Sequence, residues 1–234
     1  MQPLYIALDF PTWEESRVFL EKNELDNVGV KVGMELFYRE GVQVIEQLKL
    51  RNHPVFLDLK LHDIPTTVMK AMRNLAALEV DIVNVHALGG NRMIQKAKEG
   101  LQSSSDSRHE TKLIAVTILT SMDESSMQKE LGLEGSLTDH AIHLAKESCE
   151  SGADGVVCSV HEALAIKEVC GEQFSTVTPG IRLKDSAKDD QHRIATPGFA
   201  KQNGSDCIVV GRSITQAEKP LTAYHQVMKE WEND

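Results

Sequence analysis

In the segment Phe56-Leu57-Asp58-Leu59-Lys60-Leu61-His62-Asp63, an acid and an amine stand two residues apart in an otherwise apolar run. Strand side chains alternate between faces, so Asp58 and Lys60 project together while Leu57, Leu59 and Leu61 project the other way, toward covering helices. Taking two such ions out of water costs several kcal/mol each unless they pair and hydrogen-bond. Two explanations meet that cost. One is a buried ion pair that only fixes the end of a strand. The other is a reactive ammonium that steadies a developing negative charge and hands over a proton.

Asp9, Lys31, His86, Thr120, Arg182 and Arg212 each close or follow an apolar run as well. Any one of them alone reads as a solvated strand end. Together they call for a fold that gathers strand ends at one place. Arg182 and Gly211-Arg212 come late in the chain and have the makings of a phosphate grip, with loop backbone, a helix N-terminus and guanidinium groups. Gln191 would add a donor from the far side of a loop, and the stretch from Arg182 reads as a lid that excludes water. His140 and His143 share a helix face without a third metal ligand, and Cys158 and Cys207 sit inside apolar runs as small core side chains. His86 is expected to line the mouth as a packing group.

The elements that must position these residues alternate. Eight candidate strands run over Leu4–Leu8, Val28–Val32, Val55–Leu59, Ile82–Val85, Leu113–Leu119, Val156–Cys158, Thr176–Thr178 and Cys207–Val210. Between them the apolar spacing predicts helices over Trp13–Glu21, Glu35–Leu48, Thr67–Leu78, Met93–Leu101, Leu137–Cys149, His161–Val169 and Leu221–Trp231. Strand then helix, repeated, implies parallel pairing, and strands that are apolar throughout are buried on both faces. A single-domain (β/α)8 TIM barrel over residues 1–234 fits best, because its strand ends converge on one mouth. An open doubly wound sheet also satisfies the periodicity. Three stretches read as loops: Ser103–Lys112, Ser121–Gly135 and Arg182–Asp190.

With 25 Lys and Arg against 35 Asp and Glu, the net charge is −10, which argues against nonspecific binding to nucleic acid or membrane surfaces. An anionic ligand would then need a local concentration of positive charge. A 41% hydrophobic and 26% charged composition is that of a globular chain with a sizeable core. The four cysteines form no Cys-x-x-Cys pair, and neither a basic leader nor a long apolar span is present, so a cytoplasmic protein is expected.

The run Asp58-Leu59-Lys60-Leu61-His62-Asp63-Ile64-Pro65 resembles the Asp-x-Lys-x-x-Asp-Ile-Pro signature of the orotidine 5′-phosphate decarboxylase family. Ala7-Leu8-Asp9, Lys31-Val32-Gly33, Val116 to Ser121, Thr178-Pro179-Gly180-Ile181-Arg182, the Asp190 to Pro197 block and Val210-Gly211-Arg212-Ser213-Ile214-Thr215 follow in the family's order. The resemblance implies conversion of orotidine 5′-monophosphate to UMP and carbon dioxide with neither metal nor organic cofactor. It implies a charge array of Lys31, Asp58, Lys60 and Asp63, with Asp63 reaching into a partner's site in a homodimer. Asp9 and Lys31 would then meet the ribose, Thr67 would contribute from the partner, and Thr120 would face the pyrimidine. Lys60 would stabilise the carbanion and protonate carbon 6, its charged form favoured by Asp58 and Asp63. The lid residues Leu183 to Asp189 lack the Pro and Gly often found in the family.

Two other functions fit parts of the pattern. A metal-dependent sugar-phosphate lyase or decarboxylase of the same superfamily shares the Asp-x-Lys-x-x-Asp strand but needs an acidic ligand near the second strand's end, where Lys31 stands and only Glu35 is close. A noncatalytic phosphate-ligand barrel would use Arg182 and Arg212 but have no need of Lys60.

Overall fold

The computed structural model describes residues 1–103, 110–183 and 195–233. Eight parallel strands close into a barrel in sequence order: β1 (Leu4–Ala7), β2 (Val30–Gly33), β3 (Val55–Leu61), β4 (Ile82–His86), β5 (Lys112–Val116), β6 (Gly155–Val157), β7 (Ser175–Thr178) and β8 (Cys207–Val210). The helices are α1 (Trp13–Lys22), α2 (Met34–Glu40), α3 (Val42–Leu50), α4 (Pro65–Ala76), α5 (Asn91–Gln102), α6 (Glu124–Leu131), α7 (Leu137–Glu150), α8 (Val160–Cys170), α9 (Pro197–Gln202), α10 (Arg212–Thr215) and α11 (Pro220–Glu232). The fold is the TIM barrel that the alternation implies.

Strand residues divide cleanly by face. Val30, Val32, Leu57, Leu59, Val83 and Val85 pack outward into the layer between strands and helices, which forms the main core. Tyr5, Phe56, Ile82, Ile114, Val177 and Val209 fill the interior, with Tyr5 and Phe56 in edge contact at 6.0 Å. Each such side chain contributes ~1.5–3 kcal/mol on burial. Side-chain oxygens of Thr12, Asp123, Ser136, Ser159 and Thr196 accept the first free backbone N–H groups of their helices. Helices α4 and α5 meet backbone to backbone at Gly100, where an added Cβ would stand 2.2 Å from the Met69 carbonyl oxygen.

The barrel's lower end is closed by a recurrent device that the sequence reading missed. Asp81, Asp154 and Asp206 immediately precede β4, β6 and β8. Their carboxylates accept the backbone N–H groups of Val55, Leu113 and Thr176 at 2.7, 2.7 and 2.8 Å. Each aspartate's own N–H donates back to the carbonyl of that same residue. Lys98 pairs with Asp154 at 2.7 Å and the buried Lys167 with Asp206 at 2.6 Å. The sequence signal was present, since each acid lies one residue before an apolar run, in Val80-Asp81-Ile82, Ala153-Asp154-Gly155 and Ser205-Asp206-Cys207.

Several boundaries differ from expectation. The single helix over Glu35–Leu48 is two, α2 and α3, broken at Gly41, whose φ of +67° suits glycine and interrupts the helical path. The strand expected over Leu113–Leu119 ends at Val116, and the Ser121–Gly135 loop contains α6. Most of the proposed lid and all of Gln191 lie outside the described residues. No helix among the described residues is long and apolar enough to cross a membrane.

Asp154→Ala should lower unfolding stability by ~1–3 kcal/mol, because it strips partners from the Leu113 N–H and the Lys98 ammonium together. Denaturant titration checks this, and a change below ~0.5 kcal/mol would remove the carboxylate from any role in closing the barrel.

Candidate active site

The C-terminal ends of the strands open onto a cavity of about 260 Å³, bordered by Asp9, Lys31, Asp58, Lys60, Arg182 and Arg212. Four cations and two carboxylates therefore face one space in a chain whose net charge is −10. Thr120 and Gly211 also line it.

Along one wall the charges alternate. The Lys31 ammonium lies 3.1 Å from Asp9 Oδ1 and 3.3 Å from Asp58 Oδ2. Lys60 Nζ lies 2.6 Å from Asp58 Oδ1. The strand register explains why these meet: Lys31 sits beside Phe56, and Asp58 projects from the same face of β3 one step nearer the mouth. The Lys31 and Asp58 side chains are only 12% and 11% exposed, so each ion depends on the others for solvation. Burial opposes the Asp58 carboxylate, but the Lys31 and Lys60 ammoniums outweigh it and hold the group below its ordinary range. Burial likewise disfavours the Lys31 ammonium, and Asp58 with Asp9 raises it above the ordinary lysine value.

The expectation that Asp58 and Lys60 point into the mouth together holds, although simple alternation is not the reason. Between the paired positions Leu57↔Val83 and Leu61↔Val85, three residues of β3 stand opposite the single residue Asn84 of β4. Lys60 takes up the slack at φ +50°, a left-handed conformation that costs a side-chain-bearing residue ~1–2 kcal/mol. Asn84 is 1% exposed. Its amide nitrogen donates to Asp58 Oδ1 at 2.6 Å, and its carbonyl oxygen accepts the Lys60 backbone N–H at 2.7 Å. The sequence reading passed over Asn84, although an amide inside Ile82-Val83-Asn84-Val85 is the one polar residue of that apolar run.

Across the ring, β7 and β8 carry the arginines. Arg182 is buried, and its Nη1 donates to the Ile181 carbonyl at 3.1 Å while its backbone N–H donates to Ala195 at 2.9 Å. Arg212 opens α10, two residues beyond β8 and next to Gly211, which faces Asp9 and Ala7. Thr120 reaches the cavity from a loop four residues past β5, not from a strand end.

Other expected residues stand elsewhere. Asp63 and Thr67 are exposed at the start of α4 and do not border this chain's cavity, and the Asp63 carboxylate accepts the Ile64 N–H at 2.6 Å. His86 does not line the cavity. It stacks on His62 at 5.6 Å, and burial, His62 and Lys60 together push its pKa down. His140 bonds the Glu134 carbonyl at 2.7 Å, and no cluster of three metal-ligating side chains occurs among the described residues. Cys158 and Cys207 are buried core side chains.

Known proteins align with the chain from end to end. The model of the "Orotidine 5′-phosphate decarboxylase / HUMPS family" matches residues 2–227. A Bacillus pumilus protein named orotidine 5′-phosphate decarboxylase is 56% identical, with 97% of each chain covered. A Bacillus cereus protein of the same name is 54% identical over 99% of this chain and 98% of its own. The crystal structure of orotidine 5′-phosphate decarboxylase from Lactobacillus acidophilus superposes with a TM-score of 0.89 at 42% identity, covering 99% of this chain and 100% of that one.

The depressed Asp58 pKa has a sign that can be tested. Its stabilisation is fully present above the unfolded carboxylate value of ~3.9 and is lost as pH falls through the lower folded value. Wild type should therefore melt above Asp58→Asn at neutral pH, with the gap closing below about pH 4. Melting curves between pH 7 and 2 measure it, and a gap constant with pH would refute the pairing.

Proposed function

The chain belongs to the orotidine 5′-phosphate decarboxylase / HUMPS family, and from that premise we propose how its barrel mouth acts as a decarboxylase. It is a carboxy-lyase that converts orotidine 5′-monophosphate to UMP and carbon dioxide in pyrimidine biosynthesis.

In our reading the substrate's phosphate sits between Arg182 and Arg212, with Gly211 allowing close backbone approach and Gln191 adding a donor. The ribose hydroxyls meet Asp9 and Lys31, and Thr120 borders the pyrimidine edge. The ring's carboxylate then lies against Asp58 and Lys60. When the bond from carbon 6 to the carboxyl carbon breaks, carbon dioxide departs and the electron pair stays on carbon 6. The Lys60 ammonium, already beside that position, stabilises the pair electrostatically. It then passes one proton to carbon 6, giving UMP and a neutral amine that regains its proton from solvent. Asp58 orients the ammonium throughout, and its charge also opposes that of the bound carboxylate by ~4 kcal/mol if they lie ~4 Å apart at an effective dielectric of ~20.

The observation that carries this reading is the joint geometry of the cavity. An alternating Asp9, Lys31, Asp58, Lys60 row faces two arginines across one space that can hold a dianionic phosphate at one side and a carboxylate at the other. The metal-dependent alternative is disfavoured because an ammonium, that of Lys31, already bridges Asp9 and Asp58. The binding-only alternative has no use for a Lys60 ammonium held to Asp58 at 2.6 Å at the edge of the cavity.

Asp63 and Thr67 fit the same reading as groups that complete a neighbouring subunit's site in a homodimer. Both are exposed outside their own cavity, next to Ile64, which is 70% exposed.

Lys60→Ala should keep UMP binding measurable while lowering kcat by ~10²–10³-fold or more, and excess chelator should leave wild-type turnover unchanged. Isothermal titration and carbon dioxide release measure the two arms; a fully active Lys60→Ala, or metal-dependent turnover, would overturn the mechanism. Arg212→Ala should raise KM and also lower kcat, since binding energy at the phosphate is used at the reacting carbon. An effect on melting temperature alone would count against the phosphate grip.

A further inference from the structure

Asn84 has a position that the decarboxylation chemistry does not by itself require. It is fully enclosed, it makes no contact with the cavity's open space, and both ends of its amide are engaged by the two residues nearest the reacting carbon in the reading above. Its surroundings explain why an amide is needed there. Opposite it, β3 carries three residues where regular pairing would place one, so the usual ladder bonds between β3 and β4 are lost over Asp58–Lys60. The Asn84 carbonyl oxygen substitutes for the missing backbone acceptor and takes the Lys60 N–H. The same side chain's N–H₂ group reaches Asp58 Oδ1, the oxygen that also receives the Lys60 ammonium.

We propose that Asn84 is the positioning residue of this site: one amide pins the Lys60 backbone in its left-handed conformation and fixes the Asp58 carboxylate that aims the Lys60 ammonium. Neither an acid nor an aliphatic side chain can do both. An apolar residue leaves the Lys60 N–H and Asp58 Oδ1 without these partners. A carboxylate could still accept from Lys60 but would repel Asp58. The amide is neutral, so it adds order to the row of charges without altering their sum. Its effect on the reaction runs through Lys60, whose ammonium must be within reach of carbon 6 when the electron pair forms, and small misplacements there are expensive in rate.

The inference rests on Lys60 being the reacting cation, and the tests separate the two. Asn84→Ala should lower kcat by roughly 10- to 100-fold while KM for orotidine 5′-monophosphate and the UMP dissociation constant stay within about twofold, because the arginine grip lies across the barrel. A crystal structure of that variant should show Lys60 out of the left-handed region or its Nζ away from Asp58. Asn84→Asp, equal in size, keeps an acceptor for the Lys60 N–H but regains a donor toward Asp58 only when protonated. Its kcat relative to wild type should therefore rise as pH falls. The groups that face position 84 are Asp58 and Lys60 from β3, Lys31 of β2 through Asp58, and His86 farther along β4, while β5 places apolar Ile114 beside it. All of these are common to variant and wild type, so the ratio isolates residue 84. If Asn84→Ala fails to fold, the Asn84→Asp profile decides alone.

Wild-type kcat in Asn84→Ala, kcat and KM changing together, an unmoved Lys60, or a pH-independent Asn84→Asp ratio would each overturn the proposal. Full turnover in Lys60→Ala would instead overturn the underlying mechanism.

Discussion

One carboxylate organises this barrel mouth. Asp58 accepts the Lys60 ammonium and the Asn84 amide on one oxygen and faces the Lys31 ammonium with the other. Without it, the largely desolvated Lys31 ammonium and the half-buried Lys60 ammonium would lie close together with no shared anion between them. With it, each cation has an anion beside it, and the row ends on Asp9 near the solvent. The arrangement ties β2, β3 and β4 together at their open ends, where ladder hydrogen bonding has stopped or been disturbed. The same interaction thus keeps the strands in place and keeps two positive charges aimed at the cavity.

The two ends of the barrel solve different problems. At the lower end, carboxylates bond backbone N–H groups, and the interior above them is filled by aromatic and branched side chains. At the upper end, side chains give way to ions, and cations outnumber acids within a chain that is acidic overall. Low-dielectric walls concentrate that local positive potential on the cavity, which suits an anionic ligand without making the whole surface sticky to polyanions. The irregular stretch of β3 belongs to this end. There the extra length of β3 against β4 accompanies Asp58 and Lys60 meeting at one point, with Leu59 in the outer core.

Much of this was legible in the residues. Apolar runs alternating with helical spacing gave the barrel, and the Asp58-Leu59-Lys60 pattern gave the hub, because those features depend on local periodicity and on the cost of burying charge. What escaped notice depends on contacts between distant segments. Asn84 is polar in an apolar strand, but its importance comes from a slip of register against β3 that no local pattern announces. Asp81, Asp154 and Asp206 look like ordinary turn acids until the preceding strand's backbone is placed beside them. The run over Leu113–Leu119 has one polar residue, Thr117, and β5 stops just before it at Val116, leaving Ile118 and Leu119 to border the cavity from a loop. The interruption at Gly41 was visible as a glycine within a helical pattern, and its positive φ turned it into a break.

The aspartates at the barrel floor also bear on how the chain can assemble. Each fastens a strand to its immediate predecessor, β3 to β4, β5 to β6 and β7 to β8, and draws on no residue from across the ring. Each strand-helix-strand module therefore carries its own latch, usable before the last seam between β1 and β8 zips shut. The circle can be put together from three pre-fastened segments and an opening pair.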